Sequence, residues 1–324
     1  MDATFWRGKK VLVTGHEGFL GSWLSVRLIE RGARVVGIDR AAPRPLSVLG
    51  GLRGRMTRIR GDISRAAVVR GAIDRHRPAV IFHLAAEAIV GECAANPARA
   101  FAANIQGTWN LLEAARGKAF ITAIVAASSD KAYGCHRNLP YRECFPLRGD
   151  YPYDVSKSCA DLICRSYFLT YGLPVCVTRC GNIYGPGDFH LERIVPEAIR
   201  CALAGAPLPI RSDGRFTRDY IYVSDIVDGY MLLASRIQGG RLAGEAFNLS
   251  AGKPLTVLEL ARAVYRAAGA PPAFRILNTA RCEIRRQYLS SRKARRVLGW
   301  RPRHTLAKGL ALTVRWYRDH PASI

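Results

Sequence analysis

Apolar and polar positions follow two rhythms along this chain, and the change comes near residue 181. The run Lys10-Val11-Leu12-Val13-Thr14 is short and rich in β-branched residues; glycines follow at 15, 18 and 21, and an amphipathic stretch at 22–30 comes next. That order predicts strand, glycine turn, helix. Further apolar runs at 33–39, 79–83, 121–126 and 175–178 read as strands, another short strand precedes Gly61, and helical stretches separate them. Strands alternating with amphipathic helices predict an α/β fold built on a doubly wound parallel sheet, because right-handed crossovers lay helices on both faces. Beyond residue 181 the pattern shifts to the turn Gly185-Pro186-Gly187-Asp188, a helix over 194–204 and extended segments at 207–211 and 219–223. This predicts a smaller, mixed α/β lobe. Ligands of such sheets sit beyond the carboxyl ends of the strands, so the lobe would close over a substrate.

Composition narrows the class. Of 324 residues, 49% are apolar and 23% charged, enough for a sizeable core. No run of eighteen apolar residues occurs, and residues 1–10 lack the apolar centre and cleavage site of a signal peptide, so a cytoplasmic chain without a membrane partner is expected. The nine cysteines (93, 135, 144, 159, 164, 176, 180, 201 and 282) are odd in number and form no C-x-x-C pair, which favours buried free thiols and no metal site. The net charge of +24 would attract polyanions. Its basic residues are spread through the whole chain without any recognised nucleic-acid-binding pattern, so no specific nucleic-acid partner is expected. Only eight of them are lysines, which draws attention to Lys131 and Lys157.

Glycines 15, 18 and 21, with Phe19 and Leu20 between them, would let bare backbone and a helix N-terminus approach a pyrophosphate. Asp39 closes the next strand, where a carboxylate accepts hydrogen bonds from an adenosine ribose and repels a 2′-phosphate, so the expected cofactor is NAD, with Arg40 beside it. Asp62 and Ile63 follow the third strand and Leu84, Ala85 and Ala86 the next, all on the cofactor side. For Asp62 and His83 a turn residue and a strand-end histidine are equally good readings. The expected division is a dinucleotide-binding Rossmann domain over 1–181 with a return segment at about 220–250, and a substrate lobe made of 182–219 and 251–324.

Tyr153 and Lys157 stand at i and i+4, on one face of a helix. The segment Ser128-Ser129-Asp130-Lys131 follows the strand against which such a helix would pack. A phenol titrating near 10 needs roughly 4 kcal/mol to ionise at neutral pH. One ammonium about 4 Å away at an effective dielectric near 20 supplies roughly that amount. Lys157 would thus be about sufficient to ionise Tyr153, the cationic nicotinamide of NAD would add to it, and Ser129 would share a proton with the phenol and a substrate hydroxyl.

Over nearly its whole length the sequence resembles the extended short-chain dehydrogenase/reductases that act on nucleotide sugars, and within them the CDP-glucose 4,6-dehydratases. The likeness is carried by Gly15-His16-Glu17-Gly18-Phe19-Leu20-Gly21-Ser22-Trp23-Leu24, Ser128-Ser129-Asp130-Lys131, Pro152-Tyr153-Asp154-Val155-Ser156-Lys157, Gly181-Asn182, Gly185-Pro186-Gly187-Asp188, Arg193-Ile194-Val195-Pro196 and Leu298-Gly299-Trp300-Arg301-Pro302. It implies a conversion of CDP-glucose to the 4-keto-6-deoxy sugar: Tyr153 takes the C4 hydroxyl proton, Asp130 as acid and Lys131 as base remove water across C5 and C6, and hydride returns to C6. It also implies Asn182, Arg193 and Arg218 as phosphate partners, Arg211 and Tyr288 on the pocket rim, and a homodimer through the helix of Tyr153, whose Ala160, Leu162, Ile163 and Phe168 equally fit packing on the sheet. Nucleotide-sugar 4-epimerases and uronate decarboxylases use the same Ser129, Tyr153 and Lys157, and stay open as alternatives. A non-catalytic NAD-sensing or RNA-associated protein is a remoter one, against which the intact catalytic trio argues.

Overall fold

The computed structural model describes residues 4–44, 46–238, 240–280 and 283–323, so Cys282 and the first three residues lie outside the described residues; of the buried thiols expected, Cys135 and Cys144 are instead exposed, on the loops that follow β5. The chain begins β1 (Lys10–Thr14), α1 (Phe19–Glu30), β2 (Arg34–Asp39), β3 (Thr57–Arg60), α2 (Ala66–His76) and β4 (Val80–His83). Next come α3 (Val90–Ala95), α4 (Pro97–Phe101), α5 (Gly107–Ala115), β5 (Ala123–Ser129), α6 (Pro152–Tyr171) and β6 (Val175–Cys180). The rest comprises β7 (Asn182–Tyr184), α7 (Ile194–Leu203), β8 (Leu208–Ile210), β9 (Thr217–Tyr222), α8 (Val223–Ile237), β10 (Ala246–Leu249), β11 (Pro254–Thr256), α9 (Val257–Ala267), β12 (Phe274–Ile276) and α10 (Leu306–Asp319).

Seven parallel strands in the order β10-β6-β5-β4-β1-β2-β3 form the main sheet. The expected doubly wound fold is present, with the order reversing between β1 and β4, where the carboxyl ends of strands open into a crevice. Both faces are covered. Val11, Val13, Phe82 and Val125 pack with Leu24 and Leu28 of α1 and Met231 of α8 on one side. Leu12, Ile81, Ile124 and Val177 pack with Ile73 of α2 and Leu111 of α5 on the other.

Three boundaries differ from the sequence reading. β5 extends to Ser129 rather than ending at 126, because its pairing with β6 continues to Ser129↔Cys180. β9 does not return to the main sheet: it pairs with β7 and β11 in a separate three-stranded sheet, and the chain rejoins through α8 and β10. Within 251–324, Ala294, Leu298 and Trp300 pack in the core of the main sheet rather than in the lobe. Trp300 is held there by donating from Nε1 to the Asp225 carbonyl at 3.0 Å. The lobe has its own core, with Ile199 of α7, Tyr220 of β9, Leu260 and Val264 of α9 and Val314 of α10.

Candidate active site

A cavity of about 920 Å³ runs along the carboxyl edge of the main sheet and under the lobe. Its first end is the glycine turn. Gly15 has φ +77°, and a Cβ there would lie 2.8 Å from the backbone of Ala85; one on Gly21 would lie 1.9 Å from the Gly15 carbonyl oxygen. No side chain caps α1, so the amides of its first turn remain available to an anion. Trp23 fixes the helix against the lobe by donating from Nε1 to the Pro186 carbonyl at 2.7 Å.

Every expected cofactor residue, Gly15, Gly18, Phe19, Leu20, Gly21, Asp39, Arg40, Asp62, Ile63, Leu84, Ala85, Ala86, Tyr153 and Lys157, lines this cavity. Asp39 accepts the Glu17 and Ala41 amides at 2.9 Å each, which fixes its carboxylate at the rim. Asp62 is at once a turn residue, accepting the Ser64 amide at 2.8 Å, and a lining residue. Burial opposes its ionisation, yet the Ser64 hydrogen bonds with Arg40 and Arg65 hold its carboxyl below the usual value. His83 is structural. It is buried away from the cavity, its ring nitrogens meet Thr14 and Thr108 at 2.9 and 3.0 Å, and burial pushes its pKa down to about 3.

Bare glycine backbone, uncapped amides and a carboxylate at the end of β2 suit a dinucleotide diphosphate and its ribose.

The second end of the cavity gathers Ser129, Asp130, Lys131, Tyr153 and Lys157. Ser129 Oγ donates to Asp130 Oδ1 at 3.0 Å and accepts the Lys131 amide at 3.2 Å. Lys157 Nζ donates to the Ala127 carbonyl at 3.0 Å and lies 5.9 Å from the Tyr153 ring centre. The activation expected of Tyr153 meets an opposing effect, the burial of its phenol. Burial raises the phenol above its ordinary value, with the Ser129 hydrogen bond pulling the other way. Lys157 itself is lowered to about 8 by burial.

Asp130 is buried, one of its oxygens has no hydrogen-bond partner among the described residues, and burial raises its pKa against the pull of Lys131 and Ser129. It is suited to stay a neutral acid. Asp154, which the sequence reading did not single out, is equally buried. Neither carboxylate oxygen has a partner among the described residues, and burial raises it to about 6.

At the third end lie Asn182, Arg193, Arg211 and Arg218. Arg193 pairs with Asp188 at 3.0 Å and Arg218 with Glu283 at 3.3 Å, while Arg211 donates to the Glu192 carbonyl at 2.9 Å. Each keeps donors free for phosphate oxygens. Tyr288 is a correction: it does not line the cavity. Its backbone carbonyl takes the Tyr141 amide at 2.9 Å, beside a bridge that joins Tyr141 to Leu289.

Glu87, Arg99 and Asn104 also surround the site and carry no motif. Asn104 lies in a π-helical turn between α4 and α5, accepts the Glu87 amide at 2.8 Å, and donates to the Glu87 carbonyl and to Ser156 Oγ at 3.0 and 2.8 Å. Only its position in a helical stretch beside the site could have signalled it. Among the described residues, no group of three or more His, Cys, Asp or Glu is placed to hold a metal ion, and no helix is long and apolar enough to cross a membrane.

A family model described as NAD dependent epimerase/dehydratase matches residues 11–250. The chain belongs to the NAD-dependent epimerase/dehydratase family. It is 33% identical to a dTDP-glucose 4,6-dehydratase of Xanthomonas campestris pv. campestris (strain B100), covering 94% of this chain and 92% of that one. It is 32% identical to a UDP-glucose 4-epimerase of Mycolicibacterium smegmatis (96% and 99% covered) and 31% to a CDP-glucose 4,6-dehydratase of Salmonella typhimurium (98% and 93%). The dTDP-glucose 4,6-dehydratase of Streptomyces venezuelae, solved with NAD bound, superposes with a TM-score of 0.88 at 33% identity over 97% of this chain and 98% of that one. This epimerase/dehydratase family member is therefore an NAD-dependent enzyme of the nucleotide-sugar class. Relatives named for three different nucleotides stand at nearly equal distance, so the likeness does not select CDP-glucose among them.

Proposed function

We propose that the protein is a nucleotide-sugar 4,6-dehydratase, with CDP-glucose as the first substrate to try. The observation that carries this reading is Asp130: a buried carboxyl held toward its neutral form between Ser129 and Lys131 in the wall of the cavity. Plain 4-epimerisation has no use for an acid there, whereas loss of the C6 hydroxyl does. NAD, when bound, accepts hydride from C4 and gives it back at C6. Tyr153 takes the C4 hydroxyl proton, relayed through Ser129. The positive charge of the oxidised cofactor would add to that of Lys157 against the burial that raises this phenol. The 4-keto sugar so formed has an acidic C5 proton, which Lys131 removes while Asp130 protonates the departing C6 oxygen. Asn182, Arg193, Arg211 and Arg218 hold the diphosphate, the task of the lobe whose core is built from α7, β9, α9 and α10, over a cofactor site on the main sheet. A homodimer through α5 and α6 is part of the same proposal, supported by the exposed Trp109, Leu162, Leu169 and Tyr171. Ile163 and Phe168 instead pack on the sheet, and Ala160 is buried.

The test is a panel of CDP-, dTDP-, UDP- and GDP-glucose in deuterated water, read by mass spectrometry and NMR. A dehydratase gives a product lighter by one water with deuterium at C5. A C4 epimer without deuterium would replace this reading by 4-epimerisation.

A further inference from the structure

We infer that Glu87, with Arg40 and Arg99, forms an ionic strap across the cofactor cavity that slows the release of bound NAD. The inference rests on NAD binding in this cavity and adds a retaining device to it.

Placement is the first argument. Arg40 follows β2, Glu87 follows β4, and β1 lies between those strands in the sheet. A bridge from Arg40 to Glu87 therefore crosses the carboxyl end of β1, where the Gly15–Gly21 turn begins. A dinucleotide reaching from Asp39 to Tyr153 must cross the same line, since both residues line one continuous cavity.

The contacts give the second. Glu87 Oε1 meets the Arg40 guanidinium and accepts from Arg99 Nε at 2.9 Å. The Glu87 side chain is only 8% exposed, whereas those of Arg40 and Arg99 are 44% and 53% exposed. The carboxylate is thus the anchor and the two guanidinium groups form an outer layer that can swing away. The anchor is fixed at its backbone by Asn104, which also bonds Ser156 of α6, the helix of Tyr153 and Lys157.

The chemistry supplies the reason. A reaction that oxidises and then reduces the same sugar must keep the reduced cofactor in place between the two transfers. Ion pairs on the solvent side close such a site and still open for exchange, because exposed pairs are individually weak and are screened by salt. Arg40, engaged by Glu87, is also withdrawn from the role of receiving a 2′-phosphate.

The experiment measures dissociation of etheno-NAD from the loaded protein, chased with excess NAD, for wild type, E87Q, R40A and R40K. Release from E87Q and R40A is expected to be about tenfold faster, the size of one lost charge-assisted hydrogen bond, with R40K between them and wild type. Salt near about 0.5 M should speed release from wild type by a larger factor than from E87Q, which has no strap left to screen, a difference that a merely structural role of Glu87 would not produce. R40A, a change at an exposed side chain, carries the test if E87Q does not fold. Equal release rates in wild type, E87Q and R40A at low salt overturn the strap alone. Failure of wild type to bind etheno-NAD overturns the cofactor site and the strap together.

Discussion

Tyr153 rests as a neutral phenol. Burial raises its pKa, and in the proposed reading the positive charge of bound oxidised NAD would add to that of Lys157 in drawing the proton off. Tyr153→Phe is therefore expected to lower formation of the 4-keto sugar at least about 100-fold, the usual weight of a positioned acid–base group, while leaving NAD affinity within about threefold of wild type. Equilibrium NAD binding and single-turnover product analysis measure the two effects separately. Asp154 makes a different prediction. Its folded pKa of about 6 stands above the ordinary 3.8, so the folded protein binds more protons than the unfolded chain between those values. Stability contributed by this group is present below about pH 4, declines as the pH rises toward 6, and stays lost above it. Asp154→Asn should thus be more stable than wild type by ~1–3 kcal/mol at pH 7.5 and close to it at pH 4, by urea unfolding. Tyr153 and Lys157 were legible because their chemistry and spacing coincide; Asp154 was not, because an acid one position after the tyrosine looks like an ordinary first-turn helix residue until burial removes its water.

Among the elements, α6 and the π-helical turn before α5 decide the geometry. α6 sets Tyr153 and Lys157 one turn apart and, through Ser158, accepts the Gly149 amide at 3.2 Å and donates to the Ala132 carbonyl at 2.8 Å, tying the helix to the loops around Asp130. The π turn brings Asn104 to both Glu87 and Ser156. Asn104→Ala removes three hydrogen bonds in a buried position and should destabilise the protein by ~2–4 kcal/mol. Because it frees the Glu87 backbone, it should also speed cofactor release. Thermal unfolding and the etheno-NAD chase read the two consequences. Helical periodicity marks 97–115 as helix, but a π turn inserts its extra residue without a compositional signal, so the inward turn of Asn104 was not readable. Strand β5 likewise gained Ser129 from pairing with β6, a partner far away in sequence.

For the whole molecule, an exposed apolar face interrupts a surface of +24 net charge: Trp109 of α5 with Leu162, Leu169 and Tyr171 of α6. Like-charged protomers repel, and in the proposed homodimer this face would hold them together against that repulsion. Leu162→Glu combined with Leu169→Glu should convert a dimer to a monomer in sedimentation velocity, and raising the salt should favour the dimer in wild type; a wild type that sediments as a monomer at micromolar concentration removes the proposal. The sequence by itself determined the parallel sheet, the glycine turn, the carboxylate at the end of β2 and the pairing of a tyrosine with a lysine, because each of these is written within about one helical or strand repeat. The burial that raises Tyr153, Asp130 and Asp154, the place of β9 outside the main sheet, and the meeting of Arg40, Glu87 and Arg99 come from the tertiary structure. Those depend on desolvation and on contacts between segments distant along the chain, and a linear pattern holds neither quantity.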